Sequence, residues 1–322
     1  MMLPSSVTIC EVGPREGMQI EKGPISTASK VRLIDMLSDA RLPKIDVTSF
    51  VNAAWVPQMA DAEEVVRQIR IAPGTDYTGL YLNSKGLLRA LATGRLRLEG
   101  WVLVSASEIF ARKNNNSTPE ELYQAASRQI DLYRAHGMGV DQVVVMAAFG
   151  CNYGGDIAPD KVLKVIERAF QVASEHGANP PDLTLADSMG WCTPHAMQRL
   201  LGDIRARWPE KNIRLHLHDT RGLALASAWV GLQNGVRHYE TSVGGLGGCP
   251  FGNFSGASGN MVTEDFVHMC HEAGIETGVD LNALIEASRY AEEIVGHPLP
   301  GKLLRGNSLH TYRKAAAVET HV

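Results

Sequence analysis

Two histidines two positions apart, His216 and His218, are the residues of this chain whose spacing points most clearly to chemistry. The segment Ile213–Leu217 alternates polar and apolar residues like a strand, and side chains two apart on a strand point to the same face. The two imidazoles therefore converge where the strand ends, and the carboxylate of Asp219 follows at once. This is the geometry of half a metal site, although an H-x-H pair is also common as an ordinary surface or packed pair.

The segments that must position these histidines form a regular alternation of strands and helices. Eight β-branched apolar runs predict strands: Val7–Val12, Lys44–Thr48, Asp76–Leu82, Leu98–Val104, Gln142–Ala148, Asp182–Ala186, Ile213–Leu217 and His238–Ser242. Eight helical patterns accompany them: Thr27–Ala40, Ala60–Ile69, Ser84–Thr93, Thr118–His136, Pro159–His176, Thr193–Trp208, Leu223–Asn234 and Thr263–Ala273. Several helices begin at a good cap, such as Thr118, and several end at a glycine, such as Gly137.

This alternation predicts a closed parallel barrel of the (β/α)8 TIM type, because nearly continuous apolar strands suit a parallel sheet that helices cover. A doubly wound open sheet is the alternative, but its G-x-G-x-x-G fingerprint is missing after the first strand. We expect one domain over residues 1–322, with the barrel at about 7–276 and a short C-terminal helical extension at about 277–322. The extension could cap the barrel or feed a subunit contact, and we expect a homo-oligomer, a dimer.

Composition and charge exclude several classes of protein. The 322 residues are 44% hydrophobic and 20% charged, which is enough for a large core, and the net charge of −4 argues against a nucleic-acid-binding protein. The five cysteines are scattered and contain no C-x-x-C pair, which is typical of a reduced intracellular protein. The chain starts without the pattern of a signal peptide, and its longest apolar stretch, Val143–Phe149, is too short to cross a bilayer. We therefore expect a cytoplasmic protein with no membrane partner.

In a parallel barrel the chemistry lies at the carboxyl ends of the strands. Besides the two histidines, polar residues follow six other predicted strands: Glu11-Val-Gly-Pro-Arg-Glu-Gly-Met-Gln19, Asp46 with Thr48-Ser-Phe50, Ser105-Ala-Ser-Glu108 with Arg112-Lys-Asn-Asn-Asn116, Phe149-Gly-Cys-Asn-Tyr-Gly-Gly155, Asp187-Ser188, and Ser242-Val-Gly-Gly-Leu-Gly-Gly-Cys249. Ionisable groups thus gather at one rim, as a metal-dependent active site needs.

With these motifs the chain resembles the hydroxymethylglutaryl-CoA lyase family, within the metal-dependent aldolase and Claisen-type barrel superfamily. The resemblance covers about Val7 to Gly301 and is carried by Glu-Val-Gly-Pro-Arg-(acid)-Gly-x-Gln, Thr-Ser-Phe-Val…Trp55-Val-Pro-Gln-Met-Ala-Asp61, Ala-Ser-Glu with an Asn-rich loop, His-x-His-Asp-Thr, Gly-Leu-Gly-Gly-Cys-Pro250 and Gly-Ala-Ser-Gly-Asn260-x-x-Thr-Glu-Asp265. It implies a TIM barrel that cleaves a 3-hydroxy-3-substituted acyl-CoA into acetyl-CoA and a 3-oxoacid.

The resemblance also places the metal ligands. They are Glu16, His216, His218 and Asn260. This mixture of carboxylate, imidazole and amide oxygen is harder than the thiolate-rich sets that zinc favours, so the expected cofactor is a divalent metal, Mg²⁺ or Mn²⁺. Bound to the substrate hydroxyl and a substrate carboxylate, such a cation would lower the pKa of the alcohol.

Five residues are expected to carry the chemistry. Arg15 would stabilise the enolate oxygen of the thioester, and Cys249, in a glycine-rich loop, would protonate the enolate carbon. Asp46 and Asp187 are candidates for orienting the substrate or shuttling the hydroxyl proton, beside the metal ligand His216.

Substrate binding is assigned to Gln19, Lys113 and Asn114. The basic and amide groups of Lys113–Asn116 suit a CoA phosphate or adenine, but the same loop could simply be solvated. The glycine-rich run Gly244–Gly248 could be a phosphate cup, plain turn chemistry or, as the family match favours, a catalytic loop. Cys10, Cys192 and Cys270 are expected to be packed thiols, while Cys151 lies on a rim loop.

Four departures from the family pattern bear on the substrate. Glu16 stands where the lyases usually carry aspartate, and Asp46 stands where they carry glutamate, as if the site were re-spaced for another acyl group. Met18-Gln-Ile20 replaces Leu-Gln-Asn, and the stretch between Cys249 and Gly256 is about two residues longer than usual. A related lyase with a different substrate, such as citramalyl-CoA, therefore stays open, as do a Claisen synthase and a non-catalytic homologue that binds CoA or metal.

Overall fold

The computed structural model describes residues 3–247 and 259–313, and eight parallel strands form its centre. The strands are β1 (Thr8–Glu11), β2 (Lys44–Ser49), β3 (Asp76–Leu80), β4 (Trp101–Ser105), β5 (Gln142–Met146), β6 (Asp182–Asp187), β7 (Asn212–Leu217) and β8 (His238–Thr241). Their hydrogen-bonded order is β3-β2-β1-β8-β7-β6-β5-β4. Each strand thus pairs with its neighbours in the chain, except that β3 and β4 are not paired with each other, and β1 pairs with β8, which is the order of a TIM barrel. The predicted fold class is confirmed, and the doubly wound alternative is wrong.

The seam between β3 and β4 is closed by side chains and by the segment that precedes β4. The backbone N–H of Arg97 donates to the carbonyl of Tyr77 at 2.8 Å. Just above, the rings of Tyr81 and Trp101 stack with their centroids 4.5 Å apart. The predicted strand Leu98–Val104 begins at Trp101 instead, because the preceding residues serve this seam.

The helices that surround the barrel are α1 (Thr27–Asp39), α2 (Ala62–Gln68), α3 (Ser84–Ala92), α4 (Glu108–Asn115), α5 (Pro119–Ala135), α6 (Pro159–Glu175), α7 (Pro194–Arg207), α8 (Ala224–Gln233) and α9 (Thr263–Glu272). All eight predicted helices are present, with ends within two residues of the predicted ones. Their caps act as expected: the hydroxyl of Thr118 accepts from the N–H of Glu121, whose carboxylate accepts from the N–H of Thr118.

Helix α4 was not predicted, since the sequence Arg112–Asn116 suggested a loop. Ser107 caps this helix by accepting from the N–H of Phe110 at 3.2 Å, and Asn116 ends it in the left-handed conformation with φ of 50°. The asparagines therefore occupy the last turn and the C-cap, where their low helix propensity costs little. A two-stranded hairpin, Gly150–Cys151 with Gly155–Asp156, was also missed.

Two more helices, α10 (Leu281–Val295) and α11 (Leu303–Gly306), form the C-terminal extension. Asp280 donates its backbone N–H to the carbonyl of Ala40 after α1, and Gly301 donates to Gly244 after β8. The extension therefore packs from the outer helix layer to the rim of the barrel. The single-domain organisation stays a prediction. No helix in the described part of the chain is long and apolar enough to cross a membrane.

The two faces of the strands differ in polarity. The outer face packs against the helices and is apolar, with Ile9, Ile45, Val143, Leu183 and Leu215 completely buried. Many inner positions are polar or charged, and they line two cavities. The upper cavity, of about 320 Å³, lies at the carboxyl ends of the strands, and the lower cavity, of about 440 Å³, lies at their amino ends. The inner residues Cys10, Lys44, Glu99 and Glu240 line both. The interior therefore departs from the apolar layers that usually fill such barrels.

Candidate functional site

Three of the predicted metal ligands meet at the carboxyl end of the barrel. Glu16 lies on the π-helical turn Gly13–Gly17 after β1, and His216 and His218 lie at the end of β7. Oε1 of Glu16 is 3.3 Å from Nε2 of His216 and 3.4 Å from Nε2 of His218, and the two Nε2 atoms are 3.1 Å apart. Three lone-pair donors thus converge on one point, which is the arrangement that a bound divalent cation needs.

Asn260 is brought beside this triad by the chain that returns after β8. The N–H of Met261 donates to the carbonyl of Leu217 at 2.9 Å, and Asn260 forms an antiparallel bridge with His218. The Oδ1 atom of Asn260 is buried and has no hydrogen-bond partner among the residues that the structure describes. A buried amide oxygen without a partner next to a carboxylate and two imidazoles fits a fourth ligand to a hard divalent cation.

The pKa values of two triad residues, Glu16 and His216, are shifted in opposite directions by the charges around them. Burial works to raise the pKa of Glu16, but the charges of His216 and Arg15 outweigh it, so that the net pKa lies well below its usual value. Burial likewise works to lower the pKa of His216, yet Glu16 and Glu240 raise it to about 10. Such a concentration of negative potential around His216 would equally attract a metal cation.

Glu240 on β8 orients His216 from the side opposite to Glu16. Its Oε2 atom is 2.8 Å from Nδ1 of His216, so that the imidazole donates through Nδ1 and its Nε2 faces Glu16 and His218. A carboxylate that accepts from the far nitrogen of a ligating histidine fixes the ring's tautomer and orientation. Glu240 was not singled out from the sequence, although its position on the inner face of β8 follows from the alternation of the strand.

Arg15 and Asp46, two predicted catalytic residues, form an ion pair next to the triad. Nε of Arg15 is 2.6 Å from Oδ2 of Asp46, and Nη1 is 2.9 Å from Oε2 of Glu16. Burial raises the pKa of Asp46, and the charge of Arg15 only partly offsets this. Asp46 lines the upper cavity, and its other oxygen, Oδ1, is buried and has no partner within the described ranges. Asp46 is therefore available to accept a proton from a bound molecule.

The rim turn that carries Arg15 and Glu16 is fixed from below by Glu11, which the sequence did not single out. Oε1 of Glu11 accepts from the N–H groups of Gly13 and Val243 at 2.7 and 2.8 Å, and Oε2 accepts from the hydroxyl of Thr263 at 2.6 Å. One carboxylate thus ties the turn after β1 to the turn after β8 and to the start of α9. Burial raises the pKa of Glu11 to about 7, although these hydrogen bonds counteract it.

Asp187, a candidate for orienting the substrate or shuttling its proton, is not among the residues that line the upper cavity. Its two carboxylate oxygens accept from the backbone N–H groups of Trp191 and Cys192 at 2.7 and 2.9 Å. The side chain therefore stabilises the turn after β6. Asp219 has a similar part, because its Oδ1 accepts from the N–H of Ala224 and caps α8.

The predicted substrate-binding residues lie at different distances from the triad. Gln19 lines the upper cavity, and its Oε1 atom is buried without a partner in the described part of the chain. Asn114 lies on the last turn of α4 at the mouth of the same cavity. Lys113 is exposed and points at the ring of Tyr153, with Nζ 4.7 Å from its centroid. Lys113 is not among the residues that line the cavity, and its exposed ammonium group suits a solvent-facing phosphate better than the acyl group.

The predicted proton donor, Cys249, lies outside the described residues, as does the lengthened stretch up to Gly256. The preceding glycines form a 3-10 turn, Val243–Gly245, in which the N–H of Gly244 donates to Oε2 of Glu264 at 3.0 Å. Of the other cysteines, Cys192 and Cys270 are buried, as expected of packed thiols, and Cys151 of the rim loop is buried as well. Cys10 was also expected to be a packed thiol, but it is only half-buried and lines both cavities.

A layer of charged residues below the triad, most of them half-buried, was not predicted. Nζ of Lys44 is 2.7 Å from Oε1 of Glu99, and Oε2 of Glu99 is 2.9 Å from Arg214, which also pairs with Asp182. Lys44, Arg214 and Asp182 lie on three different strands, Glu99 lies just before β4, and Glu99 and Arg214 are 115 positions apart in the sequence. The alternation of β2 and β7 placed Lys44 and Arg214 on an inner face, but it could not identify their partners.

The chain matches the HMGL-like family model over residues 6–290. It is 42% identical over 288 residues to the mitochondrial hydroxymethylglutaryl-CoA lyase of Mus musculus, which is 89% of this chain and 85% of that protein. It is also similar to the crystal structure of the HMG-CoA lyase of Bacillus subtilis, with a TM-score of 0.87 and 37% identity over 95% of this chain and 99% of that one. An HMG-CoA lyase from Acinetobacter baumannii, in complex with coenzyme A and 3-methylmalate, matches with a TM-score of 0.83 and 32% identity over 96% and 97% of the two chains.

Proposed function

This chain belongs to the HMGL-like family, and we propose that it is a metal-dependent carbon–carbon lyase of the hydroxymethylglutaryl-CoA lyase type. The observation that carries the proposal is the convergence of Glu16, His216 and His218 next to the Arg15–Asp46 ion pair, at the end of the barrel where such enzymes hold their active sites.

In this reaction the C2–C3 bond of a 3-hydroxy-3-substituted acyl-CoA breaks. The hydroxyl group at C3 loses its proton and its oxygen becomes the oxygen of a ketone, so that a 3-oxoacid forms. The electron pair of the broken bond moves onto the thioester as an enolate, and C2 then takes up a proton to give acetyl-CoA. The site must therefore accept one proton, stabilise one enolate oxygen and return one proton.

The chain's own residues supply these functions. Asp46, through its unpartnered Oδ1 atom, accepts the hydroxyl proton, because burial favours its protonated form. Arg15, which lines the same cavity, stabilises the negative charge that develops on the enolate oxygen. Cys249 returns a proton to C2, and Gln19 binds the substrate.

A divalent cation held by Glu16, His216, His218 and Asn260 would supply Lewis acidity to the hydroxyl and carboxylate oxygens of the substrate. We infer Mg²⁺ or Mn²⁺ from the absence of thiolate among these ligands. Exhaustive chelation should therefore abolish cleavage, and either ion should restore it. Full activity in a preparation from which all metal has been removed would contradict the metal requirement.

The identity of the acyl group is tested with a panel of 3-hydroxyacyl-CoAs that includes hydroxymethylglutaryl-CoA and citramalyl-CoA. Release of acetyl-CoA from the first supports the simple lyase, and preference for another member identifies a related lyase. The A. baumannii enzyme, whose structure holds coenzyme A and a hydroxy acid, supports an acyl-CoA substrate. Condensation of acetyl-CoA with a 2-oxoacid, without cleavage of any member, would instead favour a Claisen synthase. Dimer formation and a cytoplasmic location stay predictions.

A further inference from the structure

The wall of the upper cavity that faces the triad is apolar. Leu80 at the end of β3, Leu103 on β4 and Val144 on β5 lie on the inner faces of three consecutive strands and line the cavity. They are only half-buried although they lie inside the barrel, because their side chains face the cavity rather than another layer of side chains. Phe110 of α4 and Met146 extend the same wall towards the mouth.

The floor of the cavity is polar, but its groups bind one another. The hydroxyl of Thr184 donates to Oε1 of Gln142 at 2.6 Å, and Nε2 of Gln142 donates to Oε2 of Glu99 at 3.0 Å. Lys44 is paired with Oε1 of the same glutamate. Lys44, the cation that the described residues place on the floor, is thus already neutralised, so the floor offers little attraction to a carboxylate of a bound molecule.

The buried polar atoms of the cavity that lack a hydrogen-bond partner lie on the same side of the cavity as the triad. Of the cavity's lining, buried atoms without a hydrogen-bond partner in residues 3–247 and 259–313 are Oε1 of Gln19, Oδ1 of Asp46 and Nδ1 of His218. The hydroxyl group of a substrate can therefore donate to Oδ1 of Asp46 on β2, and the cation that Glu16, His216, His218 and Asn260 would hold would take the carboxylate. Of the two arms of C3 that remain, the thioester arm must reach the mouth, because coenzyme A is too large for a cavity of about 320 Å³. The other substituent is left to face β3, β4 and β5.

We propose that this C3 substituent is an aliphatic chain longer than methyl, bound against Leu80, Leu103 and Val144. The inference rests on the proposed lyase function and names its substrate class, the 3-hydroxy-3-alkyl acyl-CoAs. Each methylene that moves from water onto this wall should tighten binding up to about fourfold, the factor that corresponds to full burial of a CH₂ group. A butyl group, with three methylenes more than methyl, should therefore gain roughly tenfold or more.

The test separates binding from cleavage. Glutaryl-CoAs that carry methyl, butyl or hexyl at C3 but no hydroxyl group cannot undergo the reaction, and calorimetry gives their dissociation constants with the metal-loaded protein. The corresponding 3-hydroxy compounds are then tested for release of acetyl-CoA. We expect the butyl compound to bind roughly tenfold more tightly than the methyl compound and its hydroxy form to have the higher kcat/KM.

Two variants locate the pocket. Val144→Phe should fill it and reduce the butyl-to-methyl binding ratio at least fivefold, whereas Leu103→Ala should enlarge it and move the preference towards hexyl. Val165→Phe makes the same exchange at a half-buried valine of α6 outside the cavity, and it should leave the ratio unchanged. The first two variants should shift the preferred chain length in opposite directions, which a variant that merely fails to fold would not do.

The outcomes distinguish the two levels of the proposal. Cleavage of hydroxymethylglutaryl-CoA without any gain in binding from a longer chain would overturn the aliphatic pocket and leave the lyase standing. Tight binding of the butyl compound without cleavage of any hydroxy form would overturn the lyase and leave the pocket standing. A butyl-to-methyl ratio that Val144→Phe does not change would also overturn the assignment of the wall.

Discussion

Arg15 occupies the position at which a loss of charge should affect the transition state more than the bound substrate. Arg15→Met keeps an unbranched side chain but removes the cation that lies 2.6 Å from Asp46. Because negative charge on the enolate oxygen develops only towards the transition state, we expect kcat to fall about 10²–10³-fold with a small change in KM. Steady-state kinetics with the best acyl-CoA of the panel measure both constants.

The matched control for this substitution is Arg67→Met, which removes an exposed arginine paired with Glu64 and should leave both constants unchanged. If Arg15→Met instead raises KM and leaves kcat as it is, Arg15 binds a carboxylate of the substrate in the ground state. The assignment to the enolate would then be wrong.

Glu240 should act on the metal through His216. Removal of the acceptor in Glu240→Ala frees the ring to rotate and to change its tautomer, so we expect the affinity for Mn²⁺ to fall about 10–100-fold. Glu240→Gln should lose less, because an amide oxygen can still accept from Nδ1. Titration calorimetry of the metal-free protein measures the affinity without reference to activity. Equal affinities of wild type and Glu240→Ala would contradict the orienting function.

At the level of residues, the sequence predicted what is local and missed what is distant. The H-x-H spacing and the Arg15–Glu16 pair are visible in short segments, and the structure brings all four side chains together. Glu11 and Glu240 act through partners that lie far away in the chain, such as Thr263 for Glu11. Asp187 looked catalytic because it ends a strand at the rim, but two backbone N–H groups of its own turn occupy it.

Among the structural elements, the turn Gly13–Gly17 depends on a close approach that only glycine permits. A Cβ atom on Gly17 would lie 2.7 Å from Cγ of Leu246 and 2.9 Å from its carbonyl oxygen. Gly17→Ala should therefore push the turn that carries Glu16 away from the turn after β8. We expect a loss of about 1–3 kcal/mol in the free energy of unfolding, which is typical of overpacking, together with weaker Mn²⁺ binding.

Gly23→Ala is the control, because a Cβ atom at Gly23 would meet nothing within 4 Å. Urea unfolding and calorimetric titration of the two variants should differ in both quantities. Wild-type metal affinity in Gly17→Ala would show that the turn adapts and that its packing does not position Glu16.

The elements themselves were largely predictable because their signals are local. Caps such as Thr118 begin helices and glycines such as Gly137 end them, in both cases by interactions within a few residues. Helix α4 was not predicted because it is short and ends in three asparagines, whose side chains favour caps and turns over helix interiors. Helix α4 contributes to the site, since its residues Phe110 and Asn114 line the cavity.

In the molecule as a whole, the barrel interior carries half-buried charged residues, whereas the sequence predicted apolar strands with a polar rim. Burial works to raise the pKa of Glu99, but Lys44 and Arg214 lower it to about 2, so the carboxylate stays ionised deep in the barrel. Such a network is destabilised strongly when one member is removed, since a buried charge is then left without its partner. The network also lies between the upper and the lower cavity, since Lys44 and Glu99 line both of them.

Two other buried carboxyl groups should make the stability of the whole molecule depend on pH. Burial raises the pKa of Glu264 from 4.5 to about 8, and burial raises that of Glu11 to about 7. Below pH 4.5 these groups are protonated in both the folded and the unfolded chain. Between pH 4.5 and 8 the unfolded chain has released protons that the folded chain still holds, so their contribution to stability falls as the pH rises.

Glu264→Gln isolates this effect, because glutamine resembles the protonated carboxyl group and can still accept from the N–H of Gly244. At pH 5 wild type and Glu264→Gln should be about equally stable. At pH 9 the variant should be more stable by on the order of a few kcal/mol, the free energy that corresponds to a shift of this size at about 1.4 kcal/mol per pH unit. Urea unfolding of both proteins in the presence of a chelator, at pH 5 and at pH 9, measures the difference without a contribution from metal binding. Glu210→Gln, on the exposed surface, controls for the loss of one negative charge. A difference between wild type and Glu264→Gln that is the same at both pH values would mean that Glu264 is ionised in the folded protein throughout this range.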